Sequence, residues 1–180
     1  MPTQRHVAIS GCSGGGKSSL LAELAGRGHA VVEEPGRRIV ARELASGGTA
    51  LPWIDATAFA RRAFDLALMD RTAATANGGW TFFDRGLVDA AVALEHSTRI
   101  AIAETLAATP RYHQTMFLAP PWPEIYRVDA ARRHDLAAAT AEYDRLATAW
   151  PSLGYDVVLL PHIDVAARAD FVLATLGLAP

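Results

Sequence analysis

Gly11-Cys12-Ser13-Gly14-Gly15-Gly16-Lys17-Ser18 constrains this chain more than any other stretch. It follows an apolar run at 6–10 and leads into Ser19-Leu20-Leu21-Ala22-Glu23-Leu24, so it reads as strand, glycine-rich loop and helix. The spacing G-x-x-x-x-G-K-[ST] is complete. Glycines accept positive φ and let several N–H groups converge on one anion. The first helical turn adds amides without intrahelical partners and the positive end of the dipole. Lys17 is expected to reach β- and γ-phosphates, and the Ser18 hydroxyl to hold a magnesium ion bridging them. Lys17 is also the only lysine, every other Lys or Arg being arginine. A compact ammonium thus stands where a planar fork is not wanted. The expected cofactors are ATP and Mg2+. Gly11, Cys12, Ser13, Gly14, Gly15, Gly16, Lys17, Ser18 and Ser19 form the expected nucleotide cradle.

The whole chain sets outer bounds. A length of 180 residues and 51% hydrophobic content suit one domain, 1–180, with a sizeable core. The net charge of −2 gives no bulk electrostatic case for nucleic acid or an anionic membrane. The sole cysteine, Cys12, lies in the loop, so no internal disulfide is expected, which suits a cytoplasmic protein. No signal peptide and no bilayer-crossing apolar run are read.

Periodicity predicts helix at 16–27, a short strand at 29–33, helix at 39–45, and a long helix from the Asp55 cap to about 76. It then predicts strand at 80–83, two helices at 87–96 and 99–108 or one bent helix across both, and strand at 112–118. A rigid connector follows, Ala119-Pro120-Pro121-Trp122-Pro123. Helix at 130–150, strand at 155–160 and a last helix capped by Asp164 complete the chain. Five strands alternating with helices imply a parallel sheet covered on both faces.

Ligands bind beyond the carboxyl ends of such strands, and the chemically loaded clusters fall there. Asp84 ends an apolar strand and is a candidate to hold the magnesium or to accept a proton from an attacking hydroxyl; its other reading is a helix N-cap. Arg85 is a candidate for a phosphate or substrate oxygen, or a simple partner of Asp84. Glu34, beside Pro35, is a second candidate base, or a solvated charge at a turn; Glu33 points elsewhere by alternation. Arg37 and Arg38 are candidates for an anionic acceptor group, or surface charges. Arg127, Arg132 and Arg133 suggest a lid at about 121–135 that stabilises transferring charge and excludes water, or an ordinary helix start. Trp53, Phe59 and Trp122 are candidates to stack on a planar acceptor, with core packing favoured for Phe59.

These residues resemble the P-loop NTPase superfamily. Glu34-Pro35 after the second strand and Asp84-Arg85 after the third are similar to deoxyribonucleoside and thymidylate kinases, and ribosylnicotinamide kinases have a comparable plan. G-C-S-G-G-G-K-S, V-E-E-P-G-R-R, F-F-D-R-G and A-P-P-W-P-E-I-Y resemble small bacterial predicted ATPases or AAA-domain proteins from Arg5 to about Leu176. The resemblance implies a three-layer α/β fold, with a five-stranded parallel sheet of order 2-3-1-4-5 and Asp84 next to the phosphate loop. Asp84-Arg85 departs from the Asp-Glu of ring-forming AAA+ ATPases, and the guanine-reading N-K-x-D is absent. The implied activity is a kinase moving the ATP γ-phosphoryl group to a small nucleoside- or nucleotide-like acceptor. The alternative is a regulatory ATPase switch acting on a protein partner. Phosphorylation of nucleic-acid ends lacks a contiguous basic track, and a homodimer is compatible with the sequence.

Overall fold

The computed structural model describes residues 5–75, 78–125 and 136–179. Strand β1 (His6–Gly11) leads through the glycine loop into α1 (Lys17–Gly26), then β2 (Ala30–Val32), α2 (Pro35–Ser46) and α3 (Ala56–Ala74). Next come β3 (Thr81–Asp84), α4 (Leu87–Thr98), the short α5 (Ile102–Leu106) and β4 (Thr115–Ala119), followed by a 3-10 turn at Pro123–Ile125. The described chain closes with α6 (Leu136–Ser152), β5 (Asp156–Leu159) and α7 (Val165–Thr175). The sheet has the order β2-β3-β1-β4-β5, and each pairing is parallel.

Period-2 alternation divides the core between the two faces. Val7 and Ile9 of β1, Phe82 of β3 and Phe117 of β4 meet Leu20, Leu21 and Leu24 of α1 and Ala169, Val172 and Leu173 of α7. Their neighbours Ala8, Phe83, Met116 and Leu118 face α3, α4 and α6, where Trp150 is wholly buried. These strands are therefore apolar on both sides, which excludes a sheet with one wet face.

Local chemistry accounts for the boundaries. Asp55 caps α3 by accepting from Ala58 N at 2.8 Å, and Asp164 caps α7 by accepting from Ala167 N at 3.0 Å. Helix α2 begins at Pro35, ahead of the 39–45 reading. Proline at a first helical position loses no bond, because that N–H would be unpaired anyway. Glu34 keeps an extended backbone (φ −52°, ψ 119°) and becomes the residue at which strand direction turns into helix. Strand β4 starts later than the 112–118 reading. Tyr112 spends its hydroxyl on tertiary bonding instead, accepting from Leu87 N at 3.1 Å. The residues Arg127, Arg132 and Arg133, with most of the proposed lid, lie outside the described residues.

Phe82 is completely buried between the sheet and α1. Phe82→Ala is expected to destabilise the protein by about 3–5 kcal/mol, read as a lower denaturation midpoint in urea.

Candidate functional site: a phosphate loop joined to a charged cavity

The β1–β3 register builds the centre of the site. Asp84 stands opposite Ile9, and Arg85 N donates to Ile9 O at 2.9 Å, so the carboxyl end of β3 lies beside the start of the loop. On the other side, Cys12 N donates to Ala119 O at 2.8 Å, tying the loop to the end of β4. Gly11 has φ 115°, and a Cβ there would overlap the Ala119 backbone, so no other residue fits this crossing. Gly16 opens α1 at φ 77°, with the Arg168 guanidinium 2.6 Å from where its Cβ would stand.

Asp84 is not the cap of α4; Gly86 holds that position, and its N–H donates to Asp89 Oδ2 at 3.1 Å. Asp84 instead accepts from Ser18 Oγ at 3.0 Å through Oδ2, while its Oδ1 is buried without a hydrogen-bond partner. Burial raises the Asp84 pKa, the Glu34 carboxylate adds to this, and Lys17 and Arg85 oppose it. A hydroxyl beside a carboxylate with a buried, unused oxygen fits Mg2+, which takes few protein oxygens and completes its shell with water and phosphates. Among the described residues no group of three or more His, Cys, Asp or Glu forms a metal cluster.

Lys17 is 6% exposed, and its Nζ donates to Cys12 O at 2.7 Å and to Gly11 O at 3.4 Å. Burial and then the positive charge of Arg85 lower its pKa, against the pull of Asp84, Glu34 and Glu142. Ser18 and Ser19 are exposed at the start of α1.

Beside the loop lies a cavity of about 480 Å3, with Ser13 of the loop in its lining. Its charged lining is Glu34, Arg37, Arg85, Asp89, Glu142 and Arg145; Val40, Pro52, Phe59 and Val92 supply apolar lining, with His96 and Ser97 also in the wall. Arg85, at φ 62°, is the hub. Its Nη1 and Nη2 donate to the two Glu142 oxygens at 2.9 and 3.3 Å; Nε stands 3.4 Å from Glu34 Oε1, and Nη1 stands 3.6 Å from Asp89 Oδ1. Burial works against the charge of Arg85, but Glu142, Glu34 and Asp89 more than offset it and raise its pKa. Glu142 shows the converse: burial opposes its charge, yet Arg85 and then Lys17 hold its pKa below the usual range. Asp89 accepts from Ser10 Oγ at 2.5 Å, and burial pushes its pKa up to about 6 despite Arg85.

The structure thus brings Lys17, Ser18, Asp84, Glu34 and Arg85 together. Arg37 also lines the cavity but donates to Glu34 Oε2 at 3.2 Å. Arg38 turns to α3, donating to Asp70 at 2.6 Å, and is not a lining residue. Arg85 pairs with Glu34, Asp89 and Glu142 rather than with Asp84. Of the three aromatic candidates Phe59 alone lines the cavity; Trp122 lies flat on His162 and Trp53 is not in the wall. Glu142, Asp89 and Arg168 escaped the sequence reading. The i, i+4 spacing of Arg85 and Asp89 on a helix start was the one available signal for Asp89. Nothing local marked Glu142 or Arg168.

A parallel sheet of this order, with the glycine loop after β1 and an acidic residue closing β3 against Ser18, defines a P-loop NTPase with the fold of nucleoside and nucleotide kinases. The chain belongs to the AAA domain family, whose model matches residues 6–168. A deoxyadenosine kinase from M. mycoides, with products dcmp and a flexible dcdp bound, superposes with a TM-score of 0.64 at 12% identity, covering 96% of this chain and 98% of that one. Thymidylate kinase from Ehrlichia chaffeensis gives 0.64 at 13%, covering 97% and 100%. NadR in complex with NR gives 0.71 at 17%, covering 98% of this chain but 53% of NadR, so the chain spans about half of that protein. No curated protein matches in sequence. No helix among the described residues is long and apolar enough to cross a membrane.

Asp89 carries a pH prediction. Because its folded pKa is raised from 3.8 to about 6, the folded state binds its proton more tightly than the unfolded state does. Its contribution to stability is therefore greatest in acid and is lost as pH rises from about 4 through about 6. Urea denaturation across that window should show the wild type losing stability relative to Asp89→Asn as pH increases.

Proposed function

We propose that this protein is a Mg·ATP-dependent phosphotransferase acting on a hydroxyl of a small, unphosphorylated, nucleoside-like acceptor. The observation that carries the reading is a cavity lined both by Ser13 of the phosphate loop and by Glu34. A loop alone supports hydrolysis; a loop that shares a wall with a second, ligand-sized cavity supports transfer. The volume of about 480 Å3 falls within the range of small-molecule sites, and the mixture of one flat apolar wall and one charged wall suits a ring joined to a polyol.

The charges argue for an acceptor without a phosphate. Of the three lining arginines, Arg85 already faces three carboxylates and Arg37 is taken by Glu34, which leaves Arg145, its Nε buried without a hydrogen-bond partner, as the one cation not bound up in an ion pair with these carboxylates. A monophosphate there would compete with buried ion pairs and meet Glu34, Asp89 and Glu142 as like charges.

The carboxylates divide the work. Ser18 and Asp84 would hold magnesium, which when bound neutralises charge on the donor phosphates. Lys17 and the first-turn amides of α1 hold the β- and γ-phosphates. Glu34 faces the acceptor and takes its hydroxyl proton as that oxygen bonds to the γ-phosphorus. The bond from phosphorus to the bridging oxygen breaks, and ADP leaves. Asp84 is the less suited base, because it does not line the cavity.

The test is a coupled assay with Mg·ATP and matched pairs of nucleosides and their monophosphates. Turnover is expected with nucleosides and not with monophosphates. Consumption that stays at the water-only rate with every acceptor would favour the regulatory ATPase instead. Lys17→Ala should weaken nucleotide binding roughly 10- to 100-fold in a folded protein, as expected for a lost charge-assisted bond. Asp84→Asn should lower turnover about 100-fold with a smaller change in nucleotide affinity. Calorimetry beside the assay separates the two effects.

A further inference from the structure

Helix α7 brings a second buried cation to the phosphate loop. Arg168 is 2% exposed, and its Nη1 donates to Gly15 O at 3.1 Å. Trp122 covers the guanidinium, its ring centroid 5.3 Å from Cζ, and lies flat on His162 with centroids 4.6 Å apart and planes at 7°. The remaining nitrogens are unsatisfied: Nε and Nη2 are buried and have no hydrogen-bond partner. No carboxylate among the described residues offsets the burial of this charge.

A buried guanidinium without a counter-ion is costly. Arg85 shows how this fold settles such a cost from within, with three carboxylates on one arginine. Arg71 is also short of partners, but it donates to Arg111 O and rests on the Tyr112 ring, far in the chain from any phosphate-binding backbone. Of these three arginines, Arg168 is the one that abuts the turn at which the loop becomes helix, where backbone amides and the helix dipole already favour an anion. Its missing counter-ion and the anion of the loop are then the same group.

The geometry points to Arg168 as a donor-phosphate ligand lying outside the glycine motif: from α7 it supplies a second positive charge to the polyphosphate of a nucleotide, with Trp122 and His162 as its cover. The inference rests on the donor-nucleotide reading above. His162 is exposed and Trp122 half-buried, so these are the side chains that give way for an oxygen to reach the guanidinium. The planar pair also offers a face on which a nucleobase stacks once the polyphosphate is seated.

Calorimetric titration of the full chain with magnesium tripolyphosphate and with Mg·ATP tests this in the wild type, Arg168→Lys and Arg168→Gln. Lysine keeps the charge; glutamine keeps a donor for Gly15 O and loses the charge. Arg168→Gln is expected to weaken both ligands about tenfold or more, and Arg168→Lys by no more than about threefold, in line with a charge-assisted contact. Without ligand, Arg168→Gln should melt no lower than the wild type, because an uncompensated charge has been removed. Glutamine binding within about twofold of wild type would overturn the assignment, as would lysine being as weak as glutamine, which makes the role one of shape. An Arg168→Gln chain that no longer folds would overturn it too. A wild type that binds neither ligand would instead overturn the donor reading itself.

Discussion

Burying a cation in a protein is unfavourable unless something negative or polar is buried with it, and three cations are buried around one glycine loop. Lys17, Arg85 and Arg168 are 6%, 9% and 2% exposed. Arg85 is surrounded by Glu34, Asp89 and Glu142. Lys17 has two loop carbonyls, with Asp84, Glu34 and Glu142 pulling on it from further away. Arg168 has one carbonyl and an aromatic face. The site is therefore divided electrostatically. On its cavity side Arg85 and Arg37 are held by internal ion pairs, whereas on its loop side Arg168 has no carboxylate partner among the described residues.

That division follows from the sheet. β1 is central, with β3 on one side and β4 on the other, so the loop leaving β1 has the ends of both neighbours within reach. From β3 it receives Asp84 and Arg85, and from β4 it receives Ala119, whose carbonyl takes the Cys12 amide. Pro35 acts more locally. By starting α2 immediately after Glu34, it leaves that carboxylate in the wall of the cavity instead of at an exposed turn.

The strand–loop–helix start, the alternation of elements and the caps at Asp55 and Asp164 were legible because each is written in consecutive residues. Glycine spacing, hydrophobic period and cap chemistry act over a few positions. The same is true of Asp84, which closes an apolar strand. The strand order came from resemblance to P-loop proteins and not from the residues themselves. Glu142 and Arg168 were not legible because their meaning comes from partners 57 and 153 residues away. On their own helices they look like ordinary polar positions. Arg38 shows the opposite error of reading a neighbour: it follows Arg37 directly, but the helical turn of about 100° per residue sends it to Asp70 on α3 instead of the cavity.

The neighbours in structure share the fold at 12–18% identity, a level at which shape persists while side-chain chemistry is free to change. Within that shape, the surroundings of two carboxylates in this chain differ. Asp84 has one oxygen on Ser18 and the other buried, and it is absent from the cavity wall. Glu34 is in that wall, and its two oxygens face Arg85 and Arg37. A carboxylate held between two guanidinium groups has a fixed orientation, which suits the proton acceptor proposed above. A carboxylate with an unused buried oxygen beside a hydroxyl has the coordination a metal needs. On the proposed assignment, exchanging the two roles would place the proton acceptor outside the cavity wall and the metal ligand between two cations, so that proposal rests on the charges around each carboxylate more than on its position in a motif.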